Sequence, residues 1–161
     1  MSQYSNLEFE ILEAARNAMY SRRYILNKLD LYKSAGAESW FQWEFVLSPW
    51  SEKWNFKKRR PYDLEVLDMH GNSLAKLEIK CCTDKNFNWV SDYLYPNKGT
   101  LNKTAQQLRQ ERRDVMVLFL AVDGIQNNFN NLDPKIFSLP IPYENIGYIN
   151  IKWIVGILKR V

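Results

Sequence analysis

Apolar residues near the start of the chain recur at helical spacing: Ile11, Leu12, Ala15, Ala18, Met19, Ile25, Leu26 and Leu29. This predicts a helix across Leu7–Lys33 with a break near Ser21 and an end at Gly36. A second helix is expected in Glu38–Trp50, where Ser39 and Gln42 have the spacing of a capping box and Pro49 closes the segment. The period then shifts to two. Tyr62–Met69 and Ser73–Cys82 alternate apolar and polar residues around Gly71-Asn72, which reads as two strands joined by a turn. The segment Asn86–Gly99 is irregular or holds a short extra strand, and Leu101–Arg113 is a basic amphipathic helix. Asp114–Val122 (DVMVLFLAV) is short, continuously apolar and rich in β-branched residues, as a buried strand requires. Gly124–Pro134 is a loop, and Tyr148–Leu158 is a further strand or two. A helix between a hairpin and a buried strand implies a crossover, and hence a mixed central sheet flanked by helices.

The hairpin decides which residues share a face. Leu77, Ile79 and Cys81 fall on one side of their strand, with Lys76, Glu78 and Lys80 on the other. Leu64 and Val66 oppose Asp63 and Glu65 in the same way. A loop of even length keeps the apolar faces together and sets Asp63 opposite Lys80 and Glu65 opposite Glu78. A three-residue loop without a bulge would mismatch them. His70 then sits in the turn, solvated. The polar face gathers acids beside a lysine, and like charges there repel. Carboxylate oxygens are hard ligands for Mg²⁺ or Mn²⁺, and a divalent ion would relieve that repulsion. Such an ion can also position a water on a phosphate, while Lys80 meets the developing charge. The bland alternative is an exposed Asp63–Lys80 ion pair of little energetic weight.

These residues resemble a family. Pro61-Tyr62-Asp63 followed by Glu78-Ile79-Lys80 is similar to the PD-(D/E)xK signature of restriction-endonuclease-like nucleases, with the proline displaced by one position and the acids 15 residues apart (78 − 63). The resemblance covers roughly Glu38 to Val122. It implies a restriction-endonuclease-like α/β fold and Mg²⁺- or Mn²⁺-dependent hydrolysis of DNA, in restriction, defence or mobile-element recombination. Asp63, Glu78 and the Ile79 carbonyl would hold metal, and Lys80 would be the catalytic lysine. Glu44 would be the acid supplied by the preceding helix, its alternative being an ordinary surface residue or a partner of Arg59 or Arg60. Gln106, rather than Gln107 or Lys103, would be the polar residue of the following helix. Family members of this size often act as homodimers, so that two sites address two strands. A second reading is a non-cleaving nucleic-acid-binding or assembly subunit of a larger complex.

Composition narrows this picture in a few places. The chain has 161 residues, 46% of them hydrophobic and 14% aromatic, which suits one compact domain: helices 1–50, a catalytic core 59–123 and C-terminal strands 136–161. No stretch is long and apolar enough for a membrane span, and the first residues lack a basic-then-apolar leader pattern, so a cytoplasmic protein is expected. The adjacent Cys81 and Cys82 and the single His70 leave no zinc-ligand spacing. The net charge of +4 permits nucleic-acid binding. Two basic clusters would hold DNA phosphates: Lys57, Lys58, Arg59 and Arg60, and, after Lys103, Arg109, Arg112 and Arg113. Of the six tryptophans, Trp50 and Trp54 near the first cluster are candidates for stacking on bases, although core packing is the expectation for most.

Overall fold

A computed structural model describes residues 6–28, 36–60, 62–82, 115–122, 143–145 and 153–159. Helix α1 (Asn6–Ser21) and the short α2 (Arg23–Lys28) realise the first helical pattern, and the break falls where expected. There the Ser21 hydroxyl donates to the Ala18 carbonyl at 2.7 Å, offering the backbone an alternative to the next helical bond. Ile11, Leu12, Ala15, Ala18 and Met19 are all buried, so the 3.6-residue stripe faces the core.

Helix α3 (Ala37–Val46) begins two residues before the expected cap. Its N-cap is Gly36, and no side chain caps it, so the Ser39–Gln42 box does not form. Ser39 lies within the helix, where its hydroxyl cannot serve as N-cap. Pro49 follows as expected, opening a 3-10 turn (Pro49–Ser51) whose N-cap Ser48 accepts the Trp50 N–H at 3.1 Å.

The described residues then hold six strands: β1 (Asn55–Arg59), β2 (Tyr62–Leu67), β3 (Ser73–Cys82), β4 (Val115–Val122), β5 (Tyr143–Asn145) and β6 (Trp153–Lys159). They form one sheet in the order β1-β2-β3-β4-β6-β5. Among the described strands only β3 and β4 pair in parallel; the other pairings are antiparallel. The sheet is therefore mixed, and the parallel pair flanks the crossover that the sequence implied. Strand β1 falls on the basic run, where the sequence pattern predicts no strand. Phe56 anchors it, with its ring edge-on to Phe45 of α3 at 5.6 Å. One apolar cluster joins α1 and α3 to Leu64, Val66, Leu77, Ile79, Cys81, Leu118 and Leu120 on one sheet face. The expected helix over Leu101–Arg113 and the segments Asn86–Gly99 and Gly124–Pro134 lie outside the described residues.

The hairpin departs from the expected register in an informative way. Leu64 pairs with Leu77 and Glu65 with Lys76, so the register is two residues from the one that set Glu65 opposite Glu78. The Asp68 N–H donates to the Asn72 carbonyl at 2.9 Å, leaving a three-residue loop of Met69, His70 and Gly71. Asp68 also accepts the N–H groups of His70 and Asn72, and Gly71 adopts φ +86°, a value that favours glycine. The parity mismatch of such a loop is absorbed by a bulge: Val66 pairs with Ala75 and Leu67 with Ser73, so Leu74 is the extra residue and is half-exposed. Both apolar faces stay together.

Candidate functional site

A second bulge builds the site. On the β1 side of β2, Lys58 pairs with Leu64 and Arg59 with Tyr62, so Asp63 has no register partner. An extra residue re-aims its side chain. The Asp63 carboxylate turns toward β3, where Oδ2 accepts the Ile79 N–H at 2.7 Å. Two residues on, Glu38 from the first turn of α3 does the same, with Oε2 accepting the Cys81 N–H at 3.3 Å. Alternate residues of a strand present their N–H and C=O to the same edge. Asp63 and Glu38 thus cap the edge of β3 beyond the last β2 pairing, and the Ile79 carbonyl faces the same notch.

Lys80 fills the notch. Its Nζ lies 2.7 Å from Glu78 Oε1 and 3.3 Å from Glu38 Oε1, and its side chain is mostly buried. Glu78 is buried as well, at 1% exposure. Burial pushes the Glu78 carboxyl up to about 7; Lys80 pulls it down, while the nearby charges of Asp63 and Glu38 push it up. Burial also raises the Glu38 carboxyl, opposed by Lys80 and reinforced by Asp63. Three carboxylates therefore feel one another around a single ammonium. Among the described residues no group of three or more His, Cys, Asp and Glu side chains is set to hold a metal ion.

The structure brings together Asp63, Glu78 and Lys80, with the Ile79 backbone between them. It does not add Glu44 to them. Glu44 points to Arg22, whose Nε donates to Oε2 at 3.0 Å, and this pair holds the Arg22 guanidinium above its ordinary pKa. The helix acid beside Lys80 is Glu38. Glu38 lies in the first turn of α3, whereas Glu44 lies six positions later on another face (44 − 38). His70 is exposed in the turn, as expected. Burial pushes the Cys81 thiol up to about 12, with Glu38 adding to it, so its nucleophilic form is suppressed. Gln106, Lys103, Arg109, Arg112 and Arg113 lie outside the described residues.

The first basic run does not form one patch. Lys57 stands opposite Glu65 in the sheet, and Lys58 opposite Leu64, so their side chains leave opposite faces. Lys58 Nζ lies 5.8 Å from the Trp43 ring centre, on the α3 side. Trp54 is buried against Phe56 and belongs to the core, whereas Trp50 is exposed. No described helix is long and apolar enough to cross a membrane. No family model, curated protein or solved structure matches this chain.

Proposed function

We propose that the protein is a nuclease of the restriction-endonuclease-like kind, hydrolysing DNA phosphodiesters with Mg²⁺ or Mn²⁺. The observation that carries the reading is the convergence of Asp63, Glu78, Lys80 and Glu38 on the notch where β2 leaves β3. The donors suit a hard cation: Asp63 and Glu78 supply carboxylate oxygens, and the Ile79 carbonyl faces the same edge. The raised Glu78 carboxyl marks a place where one more positive charge would be welcome. When bound, the ion would polarise a phosphate oxygen and ease deprotonation of a water.

The chain's own residues supply the rest. The Ile79 N–H holds the Asp63 carboxylate at the notch. Glu38 accepts a second bond from the Lys80 amine, at 3.3 Å, beside that to Glu78. Lys80 Nζ is thereby aimed to donate to a phosphate oxygen as negative charge develops on it. Two copies would address the two strands of a duplex.

A second reading is favoured by the closure of this network. Lys80 between two glutamates, with two carboxylates on backbone N–H groups, also serves as an edge cap in a non-cleaving nucleic-acid-binding subunit. Purified protein incubated with plasmid and single-stranded DNA in Mg²⁺, Mn²⁺ or EDTA separates the two. Metal-dependent nicking that Lys80→Ala abolishes is the expected result. DNA binding with no cleavage in either metal would select the non-cleaving reading.

A further inference from the structure

Away from the notch, the end of α1, the end of α3 and the 3-10 turn enclose a pocket of about 170 Å³. Trp43, Leu47 and Trp50 line it, with Arg22 and Glu44 among its polar groups. These apolar side chains are unusually open to solvent: Trp43 is 54% exposed, Leu47 75% and Trp50 45%. Cavities near 150 Å³ accept a single aromatic ring system. Cations are interleaved with the aromatic groups. Lys58 approaches the Trp43 ring, and Arg23, next in the chain to pocket residue Arg22, lies 4.3 Å from the centre of the exposed Tyr20 ring.

We propose that this pocket binds an unpaired nucleobase of single-stranded DNA, stacked on Trp43 and Trp50. Charge complementarity selects that occupant. Lys58 and Arg23 offer positive charge to a phosphate backbone, while the tryptophans offer the π-faces that bases stack on. The Arg22–Glu44 pair adds a donor and an acceptor for a base edge, with Glu44 Oε2 already holding Arg22. A base inside a duplex cannot enter, because both its faces are already stacked. Trp43 lies five positions after Glu38 on the same helix (43 − 38), about 7.5 Å further along its axis and on another face. The proposal rests on the nucleic-acid reading above and deepens it to a single-stranded substrate segment.

The test measures binding in EDTA, where cleavage plays no part. An oligo-dT strand and a hairpin duplex of equal phosphate count are titrated while tryptophan fluorescence and anisotropy are followed. Single-stranded binding should quench the tryptophans, and Trp43→Ala should weaken it roughly 5- to 100-fold while leaving duplex affinity near wild type. Trp43→Phe should keep most of the affinity, since it retains a ring. Trp50→Ala should behave like Trp43→Ala. Unchanged single-strand affinity in both alanine variants overturns the proposal. Equal weakening for strand and duplex also overturns it, because stacking would not be the cause. Loss of self-association by sedimentation, with single-strand affinity intact, would make the face a protein contact instead. If the protein never cleaves DNA yet shows the ring-dependent single-strand affinity, the nuclease reading fails and this one stands.

Discussion

The carboxylate of Asp63 accepts the backbone N–H of Ile79 at 2.7 Å, across 16 residues of sequence. An asparagine can accept the same bond through its amide oxygen, whereas an alanine cannot. Asp63→Asn should thus abolish nicking while leaving metal-free stability close to wild type, relieved of one charge near Glu78. Asp63→Ala should lose about 1.5–3 kcal/mol, the value of a hydrogen bond to a charged group. Urea denaturation in EDTA beside a plasmid-nicking assay measures both. Cleavage by Asp63→Asn would remove Asp63 from the catalytic assignment.

Metal should act on the same pair of residues. A cation that binds the folded notch stabilises it by mass action. Mn²⁺ should raise the melting temperature of the wild type and leave that of Asp63→Asn almost unmoved. Equal shifts in the two proteins would place Mn²⁺ elsewhere.

Glu78 gives the pH dependence its sign. Its folded carboxyl is raised to about 7 from an ordinary 4.5, so the native state holds a proton more tightly than the unfolded chain. Stability from this group is full below about 4.5 and is lost as pH rises through about 7, by at most about 3 kcal/mol. Glu78→Gln should flatten that part of the stability profile in EDTA. A wild-type profile that rises between pH 5 and 7 and is unaltered by Glu78→Gln would contradict it.

Glu38 is expected to matter for cleavage although the sequence pointed to Glu44. Glu38→Ala removes an anchor of Lys80 and uncovers the Cys81 N–H. Cleavage should fall at least about tenfold, with about 1 kcal/mol of stability lost. Glu13→Gln, which alters only an exposed pair with Arg16, is the control and should leave both unchanged. Wild-type cleavage rates in Glu38→Ala would make the glutamate a structural cap alone.

The split of the basic run bears on DNA affinity. Four cations on one surface would each add about 0.9 to the salt slope on duplex DNA. Lys57 and Lys58 leave opposite faces of β1, so replacing all of Lys57, Lys58, Arg59 and Arg60 with alanine should lower the slope by less than the full set. Single replacements of Lys57 and Lys58 should differ. Equal, additive losses at both positions would mean that DNA contacts both faces of the strand.

The sequence made the strands of the site legible because their apolar and polar residues alternate cleanly over Leu64–Val66 and Leu77–Cys81. It also showed that Asp63, Glu78 and Lys80 belong together. It did not show how they meet. Parity alone cannot tell an even loop from a three-residue loop corrected by a bulge at Leu74, since both keep the faces matched. Asp63's own bulge depends on β1, which a basic run with a single core anchor at Phe56 concealed. Glu38 was hidden for a similar reason. Its partner is a strand-edge N–H 43 residues away, and side-chain capping of a sheet edge leaves no periodic trace.

The parallel pairing of β3 with β4 has a consequence for the order in which the molecule assembles. The β2–β3 hairpin closes over a few residues and can form in microseconds. The other edge of β3 must wait for β4, because Lys76 pairs with Val115, 39 residues ahead (115 − 76). Closing that span spends chain entropy before any contact repays it, so this pairing is expected to follow the hairpin. Until it happens, β3 has one side of its backbone open and Glu78 remains hydrated, with an ordinary carboxyl. The chemical character of the notch therefore arises late, with the docking of a strand that contributes no residue to it.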